Sequence, residues 1–197
     1  MNPERMICFS IPASFVVENA PPTIGELAAG FVQGWLDEAS VVEVALAKLN
    51  RGLVLTEPEE RLAYLLSDQF DDVADILREP AFEVGEADEH GRYWLSMALA
   101  WVLRSQGLFD DPLGVVELLY ADFGYPPAIE GLVRYMPQPE GAEPGTDGLM
   151  TRWAAYVERE MASHAERASR ALGKTDRDAF YEVDRDLIRD RPLAEDE

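Results

Sequence analysis

The sequence predicts an all-α fold: a single domain of many helices, packed as a bundle or as stacked helix pairs, with room for a short N-terminal strand. Three observations carry that reading. Capping boxes recur, each followed by apolar residues three and four apart. Residues 93–105 are apolar almost all round, as in a helix buried by neighbours on several sides. Short stretches bearing Gly and Pro separate the periodic segments, at the loop lengths usual between packed helices.

Only Met6–Val17 hints at a strand. Thr23-Ile24-Gly25-Glu26 is a capping box leading into Ile24, Leu27, Phe31 and Trp35 at helical spacing. Ser40-Val41-Val42-Glu43 reads as a second box, opening a helix over Val41–Asn50 that Gly52 stops. Thr56-Glu57-Pro58-Glu59 is a third, with Leu62, Leu65 and Leu66 behind it. Phe70, Val73, Ala74 and Leu77 make the stripe of a short helix ended by Pro80.

Residues 81–90 form an acidic loop before the central helix, Tyr93–Ser105, which Gly107 closes. Asp111 caps and Pro112 opens a helix running to about Asp122, with Gly124 as its stop. Pro126 and Pro127 start the next, which turns Ile129, Leu132, Val133 and Met136 inward until Pro137. Residues 138–148, QPEGAEPGTDG, read as a linker. Beyond it Met150, Trp153, Val157, Met161, His164 and Ala168 line a long helix ending at Gly173. Thr175 and Asp178 then cap a last helix carrying Phe180, Val183 and Leu187. The expected organisation is a helical core over 1–137, a linker over 138–148, and C-terminal helices over 149–197 packed on the core. No repeat of fixed period is visible.

The 197 residues carry 38 acids against 17 bases, a net charge of -21. The excess is concentrated: 26 of the acids but only 8 of the bases fall in residues 1–150. Binding a nucleic-acid backbone needs the opposite sign, so nucleic acid is not an expected partner. An acidic surface repels phosphate and anionic lipid and steers basic partners. Solubility alone, or a halophilic source, accounts for the same excess. No apolar run approaches the roughly 18 residues that a membrane span requires, and Pro12 and Glu4 interrupt the weak apolar patch at the N-terminus. A cytoplasmic protein without signal peptide or membrane partner is expected. Cys8 is the only cysteine, which rules out an internal disulfide and argues against structural zinc.

One string raises an enzymatic reading. Asp71-Asp72-Val73-Ala74-Asp75 has the spacing of a magnesium–diphosphate clamp. Such clamps hold their hard cations from two facing helices. The nearest second string, Asp147 to Thr151, offers Ala155 where the further carboxylate belongs, and no basic cluster stands ready to grip diphosphate. Amphipathicity alone places Asp68, Asp71, Asp72, Asp75 and Glu79 opposite Phe70, Val73, Ala74 and Leu77. The stripe therefore reads as a solvated face, available to a basic partner.

Other chemistry is fainter. His90 and His164 sit in no metal-ligand spacing, and His164 on an apolar stripe reads as a satisfied, half-buried side chain. Cys8 has no basic neighbour but Arg5. There is no phosphate-cradling glycine loop and no Gly-x-Ser-x-Gly elbow. No catalytic residue, cofactor or metal is expected.

Residues 92–137 carry a resemblance. The Trp94–Leu103 helix, the Asp111-Pro112-Leu113 start, Tyr120-Ala121-Asp122-Phe123 before Tyr125-Pro126, and Arg134-Tyr135-Met136-Pro137 are its distinctive parts. Gly30-Phe31-Val32-Gln33-Gly34-Trp35-Leu36 and Trp153–Tyr156 extend it. With these the chain resembles the bacterial family known as domain of unknown function 2247, over about 130 residues. It departs at Gly124, where an acidic residue is expected, and in a longer C-terminal tail. The resemblance implies a small cytoplasmic, mostly helical bacterial protein and carries over no catalytic residue. Small acidic proteins of this kind often resemble the immunity proteins of bacterial toxin systems.

The Tyr120–Pro137 segment reads first as a rigid interhelical corner in which Tyr120 and Tyr125 pack. Its functional reading makes Asp122, Tyr125, Arg134 and Tyr135 an exposed binding edge, because Tyr and Arg are preferred interface anchors. The leading expectation is thus a non-enzymatic acidic protein that binds a basic protein partner, such as a toxin, as immunity proteins do. The alternative is an enzyme or small-ligand protein with a pocket near Trp94, Trp101 and Trp153.

Overall fold

The computed structural model describes the backbone of residues 11–78 and 87–189, and side chains over 11–78 and 89–167. Regular structure among the described residues is helical throughout, so the fold is all-α. Residues 6–10 of the stretch read as a strand lie outside the described residues. The remainder does not extend: Ala13–Asn19 is helix α1, with Val16 and Val17 buried.

Helix α2 (Ile24–Val32) opens on the Thr23 capping box. Thr23 N donates to Glu26 Oε2 at 2.8 Å while Glu26 N donates back to Thr23 Oγ1 at 3.3 Å. Helix α3 (Glu38–Asn50) starts earlier than the sequence predicts, because its cap is Asp37 and not Ser40. Asp37 Oδ1 accepts from Ser40 N at 2.8 Å, and these hydrogen bonds with Ser40 hold its carboxyl below the usual range. Helix α4 (Glu57–Ala63) carries the third box, with Thr56 N donating to Glu59 Oε2 at 2.8 Å.

The Phe70 stripe does not form one helix. It divides into a 3-10 turn (Ser67–Asp72) and a four-residue helix, α5 (Val73–Ile76). Val73, Ile76 and Leu77 still reach the core. Pro80 lies outside the described residues.

Helix α6 (Ala87–Arg104) is the centre of the molecule: Tyr93, Trp94, Leu95, Met97, Ala98, Leu99, Ala100 and Val102 are all buried. It packs against α2, α7 (Pro112–Asp122) and α8 (Gly145–Arg189). The Pro126–Met136 segment is a 3-10 turn (Pro127–Leu132) followed by extended Val133, not an α-helix. Its two prolines remove backbone donors, while Ile129, Leu132 and Val133 are buried as their spacing predicts.

Helix α8 starts at Gly145, inside the segment read as linker, and continues through Gly173 to Arg189 as one helix. A glycine costs an interior helix only about 1 kcal/mol, which does not force a stop. The preceding loop is pinned by Arg152, whose Nε donates to Gly131 O and Nη1 to Glu143 O, each at 3.0 Å. A third bond reaches the Gln138 side chain.

Two apolar clusters result. The larger joins α1, α2, α6, α7 and α8 with the Pro127–Leu132 turn and Val44 of α3; the smaller joins α3, α4 and α5, with Ala28 of α2. Lys48 and Glu59 pair in the interior, where Lys48 Nζ also donates to Pro22 O at 2.8 Å. Both carboxylates of the working capping boxes, Glu26 and Glu59, are buried.

Candidate partner-binding surface

The smaller cluster sets the geometry of the acidic face. Leu62 and Ala63 of α4 and Val73, Ile76 and Leu77 of the next segment turn inward, which leaves the polar sides of both segments facing solvent. Between them runs an open groove of about 530 Å³. Glu57 and Glu60 face Asp72 and Asp75 across it, with Arg61, Tyr64, Leu65, Gln69 and Ile76. Tyr64 is 69% exposed, and Leu66 next to the groove is exposed as well.

The sequence-marked acids divide. Asp72 and Asp75 line the groove; Asp68 and Asp71 are exposed but lie outside its lining. Asp75 holds Arg78 at 2.7 Å. Glu79 lies outside the described residues. Among the described residues, no group of three or more His, Cys, Asp or Glu side chains converges closely enough to hold a metal ion. Exposed Asp68, Asp71, Asp72 and Asp75 give this face its negative charge. Such a face attracts a cationic surface at a distance.

The second marked set surrounds the corner after α7. Arg134 is not a free anchor. Its guanidinium donates to Glu117 Oε1 and Asp111 Oδ2, both at 2.8 Å, which holds the Glu117 carboxyl below its usual range and adds to the Gly114 N–H bond that lowers Asp111. Since Asp111 also caps α7 by accepting from Gly114 N, Arg134 fastens the corner to that helix. Tyr125 and Tyr135 are 61% and 62% exposed. Tyr125 packs edge-on to buried Tyr120, ring centroids 5.2 Å apart. Asp122, at the end of α7, is partly buried and engaged within the fold.

Tyr125 has φ 61°, following Gly124 at 75°. Left-handed backbone costs a residue with a side chain about 1–2 kcal/mol. The Tyr125 N–H still bonds to Tyr120 O at 2.8 Å, closing the turn.

A third polar cluster lies inside. Arg167 Nη2 donates to Glu26 Oε1 at 2.5 Å and to His164 Nδ1 at 3.0 Å. With Nδ1 accepting, the imidazole proton sits on Nε2, which donates to Ser96 Oγ at 3.3 Å. The Ser96 hydroxyl then donates to Arg92 O. Burial, aided by the Arg167 charge, pushes His164 down to about 4, so the ring stays neutral at physiological pH. A serine beside a histidine suggests a nucleophile and its base. Here a guanidinium, not a carboxylate, orients the ring, and Ser96 is fully buried. The cluster fastens α8 to α2 and α6. Sequence reading missed it, since only the Thr23 box signals Glu26 and nothing local signals Ser96 or Arg167.

The model of a protein family described as uncharacterised and conserved in bacteria, domain of unknown function 2247, matches residues 13–161. No curated protein matches this chain, and neither does any solved structure.

Proposed function

The chain belongs to the bacterial family of domain of unknown function 2247, and from that premise we propose a non-enzymatic acidic binding protein that captures a basic protein partner. Among such proteins, the closest functional analogy is an immunity protein that neutralises a bacterial toxin by covering it. The observation that carries the reading is the α4–α5 groove, whose lining combines Glu57, Glu60, Asp72 and Asp75 with exposed Tyr64. Carboxylates lining a groove raise the on-rate of a cationic partner, and an exposed aromatic among them supplies apolar contact after docking.

The net charge of -21 agrees with a basic protein partner and disfavours nucleic acid. A cytoplasmic site of action suits an inhibitor that protects its own cell, and no helix among the described residues is long and apolar enough to cross a membrane. The alternative, a ligand pocket at the tryptophans, gains little: Trp94 and Trp153 are buried core side chains, and Trp94 Nε1 donates to Glu26 O at 2.8 Å.

The test is co-expression with basic toxin modules encoded beside the gene, read as cell survival and complex formation. Rescue by the wild type and its loss in an E57Q/E60Q/D72N/D75N variant supports the proposal. A complex that forms equally well with the neutralised groove removes the groove from it.

A further inference from the structure

We infer that Tyr125 and Tyr135 form a second contact, an aromatic seat for an arginine side chain projecting from the basic partner. The inference rests on the reading above and adds the place and chemistry of an anchor outside the groove. Two independent features meet at this corner. Both tyrosines are largely exposed. Tyr125 occupies a left-handed conformation that glycine would adopt freely, and its ring, set edge-on to Tyr120, is still mostly in solvent. Strain kept by an exposed side chain points to a use for that side chain.

The electrostatics select the occupant. The one cationic side chain in the corner's own sequence, Arg134, is neutralised by Asp111 and Glu117. Glu130 is exposed, and its carboxylate lies within electrostatic reach of the Tyr120 hydroxyl, as do the Tyr125 and Tyr135 hydroxyls. Burial and the Glu130 charge raise the Tyr120 phenol above its usual value. Tyrosine ring faces attract a cation, and a nearby carboxylate accepts its N–H groups. The planar, weakly hydrated guanidinium fits that combination better than an ammonium does. Arg134, and Arg152 bonded to Gly131 O beside it, are both engaged by internal partners.

The experiment titrates a fluorescently labelled peptide of alternating arginine and glycine into the full chain at low salt, and reads anisotropy. Its lysine counterpart is run beside it. Tyr125→Gly keeps the fold, since glycine is at ease at this φ, and native helicity is checked by circular dichroism. Each of Y125G and Y135A should weaken arginine-peptide binding about fivefold, a loss the size of one cation–π contact. Y125F should retain binding, and the lysine peptide should bind less tightly.

Unchanged affinity in both Y125G and Y135A, together with a loss in E57Q/E60Q/D72N/D75N, overturns the tyrosine seat and leaves the acidic-binding reading standing. Tighter binding of lysine than arginine overturns the choice of guanidinium. No binding of either peptide by the wild type overturns the tyrosine seat, while rescue and complex formation with the basic partner still decide the acidic-binding reading.

Discussion

The Arg92 guanidinium grips the Glu160 carboxylate through two hydrogen bonds, Nε to Oε2 at 2.6 Å and Nη2 to Oε1 at 2.8 Å. Glu160 is only 1% exposed, whereas Arg92 is half open to solvent, so the pair carries a charge into the α6–α8 interface without burying both partners. Arg159 assists at 3.3 Å. Removing Arg92 leaves a buried carboxylate with one weak partner. R92A should destabilise by about 2 kcal/mol, below the loss from a fully buried pair because Arg159 remains. Urea unfolding monitored by tryptophan fluorescence checks this, and R92A/E160Q should recover part of the loss.

Acid should loosen α8 in two stages. Burial and the Arg167 charge lower His164 from 6.5 to about 4. The unfolded chain therefore binds this proton first, and the contribution of neutral His164 is complete above pH 6.5 and lost as pH falls towards 4. Burial pushes the Glu160 carboxyl up, but the bonds and charge of Arg92, with help from Arg159, outweigh it and hold the group below 4.5. Its contribution is full above that value and disappears only as pH falls through its lowered folded pKa. Melting temperature against pH should thus slope between 6.5 and 4 in the wild type and flatten there in H164Q, with a further fall at lower pH in both. An unchanged slope in H164Q would assign it to other groups.

Lys48 and Glu59 are both buried, and Glu59 also serves the Thr56 box. K48M strands that carboxylate and should cost about 3 kcal/mol. The same substitution with E59Q should cost less, although the box is weakened. Chemical denaturation of the two variants measures the difference.

The close approach of α2 and α6 depends on Gly30. A Cβ there would lie 2.8 Å from Trp94 Nε1 and 2.9 Å from Cε2, and the ring is held by its bond to Glu26 O. G30A should therefore destabilise by about 1–3 kcal/mol through overpacking. Thermal melts decide it; a variant as stable as the wild type would show that the indole can move aside.

What could be read from the sequence follows the range of each signal. The Thr23 and Thr56 boxes act within four residues, and both starts were legible; Ser40 misled because Asp37, one turn earlier, caps α3 with the same chemistry. The all-round apolar character of α6 identified the core without any partner being known. The Pro126–Met136 segment kept its inward pattern but not its helix, because two prolines and a tight turn changed the local geometry while burial stayed the same. At the surface, the acidic stripe was visible as composition, but its pairing with Glu57 and Glu60 depends on tertiary packing of α4. The same limit hid the capture of Arg134 by Asp111 and Glu117, whose partners lie 23 and 17 residues away.

The most direct test of the account is the salt dependence of affinity for a purified partner identified through co-expression rescue. The dissociation constant is measured from about 50 to 500 mM salt, a range over which screening falls from long to short reach. The account predicts progressive weakening for the wild type, and a shallower dependence when Glu57, Glu60, Asp72 and Asp75 are neutralised. Superimposable salt curves for the two proteins would contradict it.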